Sequence, residues 1–255
     1  MKKYHILILI CLFTTEIFSS TARIMLLGDS ITYDDAVRDH PELGGSTPRP
    51  TSLRHGYRNY LWYKLREEKL DINIDFVGSR SAGSKIIPNF DIDNEGYPGY
   101  TSQHIASFIY QKLQQSQPDI ILLHIGSNDW SDNISGIRKI LDEIDRYEQN
   151  YSHHIKVLLA RIINRTEYQA WTNRLNHNIQ NLANERIVNG DDIVIVDMEH
   201  NAGIYYDSRD FQDRAHPNNS GYYKMANLWF STLVPILKNL NNYSYLVPIY
   251  HIILN

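Results

Sequence analysis

Four polar clusters in this chain hold residue types that can do chemistry: Gly28-Asp29-Ser30, a turn at Gly99, Asn128, and the run Asp213-Arg214-Ala215-His216-Pro217. A serine hydroxyl is a weak nucleophile until a base takes its proton. His216 can take it, because imidazole titrates near pH ~6.5. Asp213 precedes it on the same run and can hold the other ring nitrogen in the right tautomer. Pro217 biases His216 toward an extended backbone, which helps aim the ring. Attack on a carbonyl then builds an oxyanion, which needs donors. The N–H of Ser30, the N–H of Gly99 and the side-chain amide of Asn128 are candidates for that role. Taken singly, each cluster has an ordinary explanation as a turn, a helix cap or a surface ion pair. Their joint presence, each past a strand or before a helix, argues for nucleophilic acyl transfer.

The elements that must position these groups alternate along the chain. Ile24-Met25-Leu26-Leu27 is an apolar run stopped by Gly28 and reads as a buried strand. Ser30 then falls just past its carboxyl end, where open α/β sheets place their crevices. Residues 72–77 read as a second strand. The near-continuous apolar run from Ile120 to Ile125 reads as a strand covered on both faces, and it halts at Gly126-Ser127-Asn128-Asp129. Residues 155–163 and 193–196 supply two more. Helical stripes lie between them: Tyr57, Tyr60, Leu61 and Leu65; Ile105, Phe108, Ile109 and Leu113; Ile137, Ile140, Leu141 and Ile144. Trp171, Leu175, Ile179, Leu182 and Ala183 mark another, and Met225, Trp229, Leu233 and Leu237 the last. This alternation predicts an α/β fold with a parallel sheet sandwiched between helices. Residues 33–55 break the pattern, with Pro41, Gly44, Gly45, Pro48 and Pro50 and no periodicity. A loop of that length is either a functional lid or a surface insertion.

The 255 residues suit one large domain with a self-sufficient core. A net charge of -4 and the lack of a basic block give no reason to expect a nucleic-acid partner. Lys2 and Lys3, an apolar run from Ile6 to Phe13 and the small residues Ser20-Thr21-Ala22 read as a signal peptide over residues 1–22. The apolar run is short for a membrane span, so a secreted or periplasmic protein without stable membrane insertion is expected. Cys11 is the single cysteine and falls in that leader, which leaves no disulfide after cleavage. Residues 23–238 form the expected domain, and 239–255 a tail of unassigned role.

Other polar groups invite weaker readings. His153-His154 lacks further ligands at metal spacing and reads as a solvated pair. Asp197, Glu199 and His200 read as loop polarity, His124 as a hydrogen-bonded core residue, and Asp191-Asp192 as a turn. Tyr33, Tyr97, Tyr100 and Trp130 each lie beside one of the chemical clusters. Flat rings with a polar tip suit a sugar as well as a core, so these four are the candidate substrate-binding residues.

The ordered set resembles the SGNH hydrolases, also called GDSL esterases and lipases. Their blocks are matched here by Gly28-Asp29-Ser30-Ile31-Thr32, Gly99, Gly126-Ser127-Asn128-Asp129 and Asp213 through His216. The resemblance implies Ser30 as nucleophile, His216 as base, Asp213 as its orienter, and Ser30, Gly99 and Asn128 as oxyanion hole. It also implies a flavodoxin-like αβα sandwich with no metal or other cofactor. Residues 23–28, 74–79 and 95–101 are most similar to the acetylxylan esterases of carbohydrate esterase family three. An acylated carbohydrate or other small ester is therefore the expected partner. A lipase or lysophospholipase, a sugar O-acetyltransferase and a catalytically dead carbohydrate-binding module are the alternatives.

Overall fold

The apolar run around Ile24 becomes the centre of the sheet. A computed structural model describes residues 21–244. In chain order the elements are β1 (Thr21–Gly28), α1 (Ser30–Tyr33), α2 (Arg58–Glu67), β2 (Asn73–Val77), β3 (Arg80–Ser81), β4 (Asp93–Gly96), α3 (Ser102–Ala106), α4 (Ile109–Ser116), β5 (Ile120–His124), α5 (Ser135–Tyr151), β6 (Lys156–Arg161), α6 (Ala170–Val188), β7 (Ile193–Asp197), α7 (Met198–Asn201) and α8 (Asn219–Ser244). The first half of β1 pairs in parallel with β2, its last residues with β4, and its other edge with β5. β6 and β7 continue the sheet in parallel, and only the short β3 runs antiparallel, against β4.

Strand residues alternate between two apolar layers. Ile24 and Leu26 face α2 and α8, packing with Leu61, Met225 and Trp229. Met25 and Leu27 face the opposite layer, with Ile109, Ile140 and Ile179 from α4, α5 and α6. That is the αβα sandwich expected from the sequence. The chain passes from β1 to β2 on one side and later to β5 on the other, so successive crossovers leave β1 in opposite directions. Such a reversal opens a crevice at the carboxyl ends of the two central strands.

Three expectations are corrected. The stripe read as one helix is two, α3 and α4, broken at Ser107-Phe108, where the Ser107 hydroxyl donates to the His104 carbonyl at 2.7 Å. A local side-chain bond of this kind competes with helix continuation. β4 was not expected, because Asp93-Asn94-Glu95-Gly96 carries no apolar signal, yet Asn94 and Glu95 are fully buried. Residues 33–55 hold three 3-10 turns (Val37–Asp39, Pro41–Leu43 and Thr51–Leu53) tied down by ion pairs. At the ends, Thr21 and Ala22 already pair with Asn73 and Ile74, and α8 runs on to Ser244. Residues 1–20 of the leader expected over 1–22, and the apolar stretch of the tail, Leu246 to Leu254, lie outside the described residues.

Candidate active site

β1 ends against β5 so tightly that Gly28 admits no side chain. A Cβ there would lie 2.4 Å from the His124 carbonyl oxygen and 2.3 Å from Thr32 Oγ1. The chain then turns straight into α1. Asp29 caps it, with Oδ1 accepting from the Ile31 N–H at 2.9 Å. Ser30 therefore starts the helix, its N–H among those a helix leaves without an intrahelical acceptor. Its Oγ lies 2.9 Å from His216 Nε2, across a sequence separation of 186 residues.

The loop before α8 presents the imidazole. The Gln212 N–H donates to the His216 carbonyl at 3.0 Å, and Phe211 bridges Pro217. Asp213 Oδ1 accepts from the N–H groups of Ala215 (2.9 Å) and His216 (2.8 Å), so the carboxylate shapes the turn. Both its oxygens lie 2.9 Å from His216 Nδ1. That contact puts the ring proton on Nδ1 and leaves Nε2 to accept from the Ser30 hydroxyl. Burial pushes the Asp213 carboxyl up, but the His216 bond and charge and the backbone donors outweigh it, holding the group well below the usual carboxylate range.

Gly99 sits in a turn with φ +77°, a left-handed backbone that favours glycine. The turn is docked on the end of β1, where the Tyr97 N–H donates to the Gly28 carbonyl at 2.9 Å. Asn128 follows β5, and its Nδ2 donates to the Tyr100 carbonyl at 3.1 Å. Asp129 ties these two loops together by accepting from the Ser102 N–H (2.8 Å) and hydroxyl (2.5 Å). Ser30, Gly99, Asn128 and His216 line one cavity of about 340 Å³.

The GDSL-like lipase/acylhydrolase family matches residues 26–224. The chain belongs to it. The "Multidomain esterase" of Ruminococcus flavefaciens is 28% identical over 247 residues, covering 86% of this chain but 29% of that protein. This chain thus spans less than a third of that relative's length. The solved Clostridium thermocellum family 3 carbohydrate esterase is 27% identical at a TM-score of 0.69, covering 87% of this chain and 99% of that one. A Talaromyces cellulolyticus carbohydrate esterase of family 3, 24% identical at a TM-score of 0.66, covers 86% of this chain and 99% of its own and shares the fold.

Not every candidate stands at this GDSL-type cavity. Tyr33 and Tyr97 are buried and share the Arg80 guanidinium, which lies 4.7 Å and 5.0 Å from their ring centres. The Tyr97 hydroxyl donates to Glu95. Tyr100 is half-exposed and stacks on Tyr97, while Trp130 is exposed with Arg165 4.1 Å over its ring. None of the four lines the cavity. His124 is buried, accepts from the Ile163 N–H at 3.3 Å, and is pushed down to about 4 by burial, so it is neutral. Asp197, Glu199 and His200 are not idle loop polarity. Asp197 caps α7 and pairs with Arg161 at 2.9 Å, and buried Glu199 accepts from Asn176 (2.8 Å) and Asn164 (3.3 Å). They pin the ends of β6 and β7. His153 contacts the Pro118 carbonyl, and His154 contacts Asp192.

The far wall of the cavity comes from the segment read as a lid or insertion, but sequence reasoning named none of its residues, Asp35, Ala36, Val37, His40, Glu42 and Leu43. The Val37 N–H donates to Asp213 Oδ2 at 3.0 Å, so this wall also braces the orienting carboxylate. Arg49 lies between Asp34 (2.8 Å) and Asp39 (2.7 Å), and Arg54 meets Asp35 at 2.5 Å. The available signal was charge: three aspartates and three arginines in an otherwise irregular stretch.

Proposed function

We propose that this chain is an exported serine esterase that removes small acyl groups, acetyl above all, from carbohydrates through an acyl-enzyme. The observation that carries this reading is the unbroken line of hydrogen bonds from Ser30 through His216 to Asp213, opening on a cavity. Ser30 Oγ attacks the acyl carbonyl while His216 Nε2 takes the hydroxyl proton. Asp213 stabilises the imidazolium that results. Negative charge on the carbonyl oxygen is met by the N–H groups of Ser30 and Gly99 and by Asn128 Nδ2. His216 then gives its proton to the departing sugar oxygen, the C–O bond breaks, and the acyl group stays on Ser30. Water repeats the sequence and releases the carboxylic acid.

The apolar side of the cavity, with Ala36, Val37, Leu43 and Pro98, suits a short acyl chain. A carbohydrate leaving group is supported by the likeness to the Clostridium thermocellum family 3 carbohydrate esterase. The leader over residues 1–22 supports export, and among the described residues no helix is long and apolar enough to cross a membrane. The test is acetate release from acetylated xylan, with Ser30→Ala as control. Wild type releases acetate, and the variant falls to background at an unchanged melting temperature. Equal rates on long-chain acyl esters would move the reading to a lipase or lysophospholipase.

A further inference from the structure

In the reaction just proposed the strand-end groups serve the reacting carbonyl and Ala36, Val37 and Leu43 the acyl chain, which leaves the polar groups of the irregular segment to recognise the alcohol half of the ester. The polar groups there are Asp35, His40 and Glu42. They form a chain. Asp35 is buried, meets Arg54 Nη1 at 2.5 Å, and faces His40 Nε2 at 3.1 Å. His40 Nδ1 in turn faces Glu42 Oε1 at 2.8 Å. An imidazole with a carboxylate on each nitrogen donates to both only when it carries both protons. The Glu42 bond raises the His40 pKa over a smaller desolvation effect, and Asp35 adds to the rise. The wall thus alternates in sign: Arg54, Asp35, His40, Glu42.

This arrangement fixes a carboxylate at the cavity mouth. Glu42 sits on an exposed turn, and its side chain is mostly open to solvent. A free surface glutamate would sample many rotamers, but His40 holds this one, and buried Asp35, itself paired with Arg54, holds His40. A carboxylate is an acceptor with about four lone-pair sites, and His40 occupies one. The remaining sites face donors brought by whatever enters. Among uncharged alcohols, those with further hydroxyls supply such donors.

We propose that Glu42, held in place by His40, selects the leaving group by accepting hydrogen bonds from hydroxyls of the sugar. This rests on the carbohydrate-ester reading above. Glu42 touches the substrate, and His40 is a positioning residue that acts through it. Ester specificity on the alcohol side then comes from the irregular segment, whereas the nucleophile and its oxyanion donors stand at strand ends and the base on the loop before α8.

The test compares kcat/KM on an acetylated xylo-oligosaccharide with kcat/KM on p-nitrophenyl acetate, whose leaving group has no further hydroxyl. In Glu42→Ala the ratio of the two falls about tenfold, the worth of one charge-assisted hydrogen bond. Glu42→Gln, which keeps one acceptor oxygen, loses less. His40→Gln lowers the same ratio mainly through KM for the sugar ester. A purely structural role would depress both substrates together and leave the ratio within twofold, and that result in all three variants overturns the proposal. A wild type that cleaves the aryl ester but no sugar ester overturns the carbohydrate reading and this proposal with it. A wild type that cleaves both, with an unchanged ratio in the variants, overturns this proposal alone.

Discussion

The two walls of the cavity are built on different physics. One is made of backbone: Ser30, Gly99 and Asn128 stand where parallel strands end, their positions fixed by sheet register and by glycines that admit close approach. The other has almost no regular structure and is made of charge. Arg49 and Arg54 reach inward to Asp34, Asp39 and Asp35, whose side chains are nearly inaccessible to water. The difference suits the two tasks proposed for these walls. Catalytic donors need sub-ångström placement, which a sheet core supplies. A surface that recognises a leaving group can be exchanged as a unit, provided it is locked once folded. The walls meet at Asp213, which takes hydrogen bonds from its own turn and from the Val37 N–H of the charged wall.

That meeting point is where the largest effect is expected. Asp213→Asn keeps an oxygen for the Ala215 and His216 N–H groups, both of which bond Oδ1. The amide nitrogen is then left to face both His216 Nδ1 and the Val37 N–H, each of them a donor. The ring loses its fixed tautomer, and kcat should fall by about 10⁴ while the protein stays folded. A loss under tenfold in a steady-state assay would mean that the Asp213 carboxylate does not set the His216 tautomer.

Removing Arg49 tests whether the second wall depends on charge as argued. Arg49→Met leaves Asp34 and Asp39 buried with no cation between them. Breaking a buried ion pair from one side costs about 3–5 kcal/mol. Denaturant unfolding should reveal that loss, and a variant within about 0.5 kcal/mol of wild type would show that the wall stands on its turns alone. The same carboxylates give wild type an acid weakness. Burial raises Asp39, but bonds from Arg49 and backbone donors outweigh it and hold the group at about 2, against 3.8 unfolded. Its contribution is therefore present above about pH 4 and lost as pH falls toward 2.

How much of each wall could be read from the sequence follows from the same contrast. The strand-end wall left a periodic trace: apolar runs at Ile24 and Ile120 stop at glycine, and the polar residues after them fall at the crevice by topology. His216 was legible because Asp213 and Pro217 flank it at spacings with a mechanical meaning. The charged wall left no trace of that kind. Asp34 meets Arg49 and Asp35 meets Arg54 through a fold-back that no helix or strand period encodes. β4 was hidden for a related reason, since Glu95 is buried by hydrogen bonds from the Ser79 N–H (2.6 Å) and hydroxyl (2.9 Å), not by hydrophobicity. The aromatics misled in the other direction. Tyr33 and Tyr97 lie beside the right motifs in sequence, but their rings pack inward against Arg80.

The smallest effect sharpens the comparison most, because Asp29 reverses the acid response of the charged wall. It sits in the backbone-built wall, fully buried, with one oxygen on the Ile31 N–H and Oδ2 without a partner among the described residues. Burial dominates there and raises the carboxyl from 3.8 to about 6, with the Ile31 bond and the His216 charge opposing it. The folded state thus holds the proton more tightly than the unfolded chain does. Stability from this group is full below about pH 4, declines as pH rises to about 6, and is flat above. Asp29→Asn keeps the cap to Ile31 and removes the titration. The variant should match wild type near pH 4 and exceed it at pH 7 by up to about 3 kcal/mol, since each pK unit is worth about 1.4 kcal/mol. Thermal melts of both proteins at pH 4, 5, 6 and 7 would trace the gap opening. A constant gap would mean that Asp29 stays ionised throughout, and that its charge is retained in the interior for its effect on the nearby His216 imidazolium.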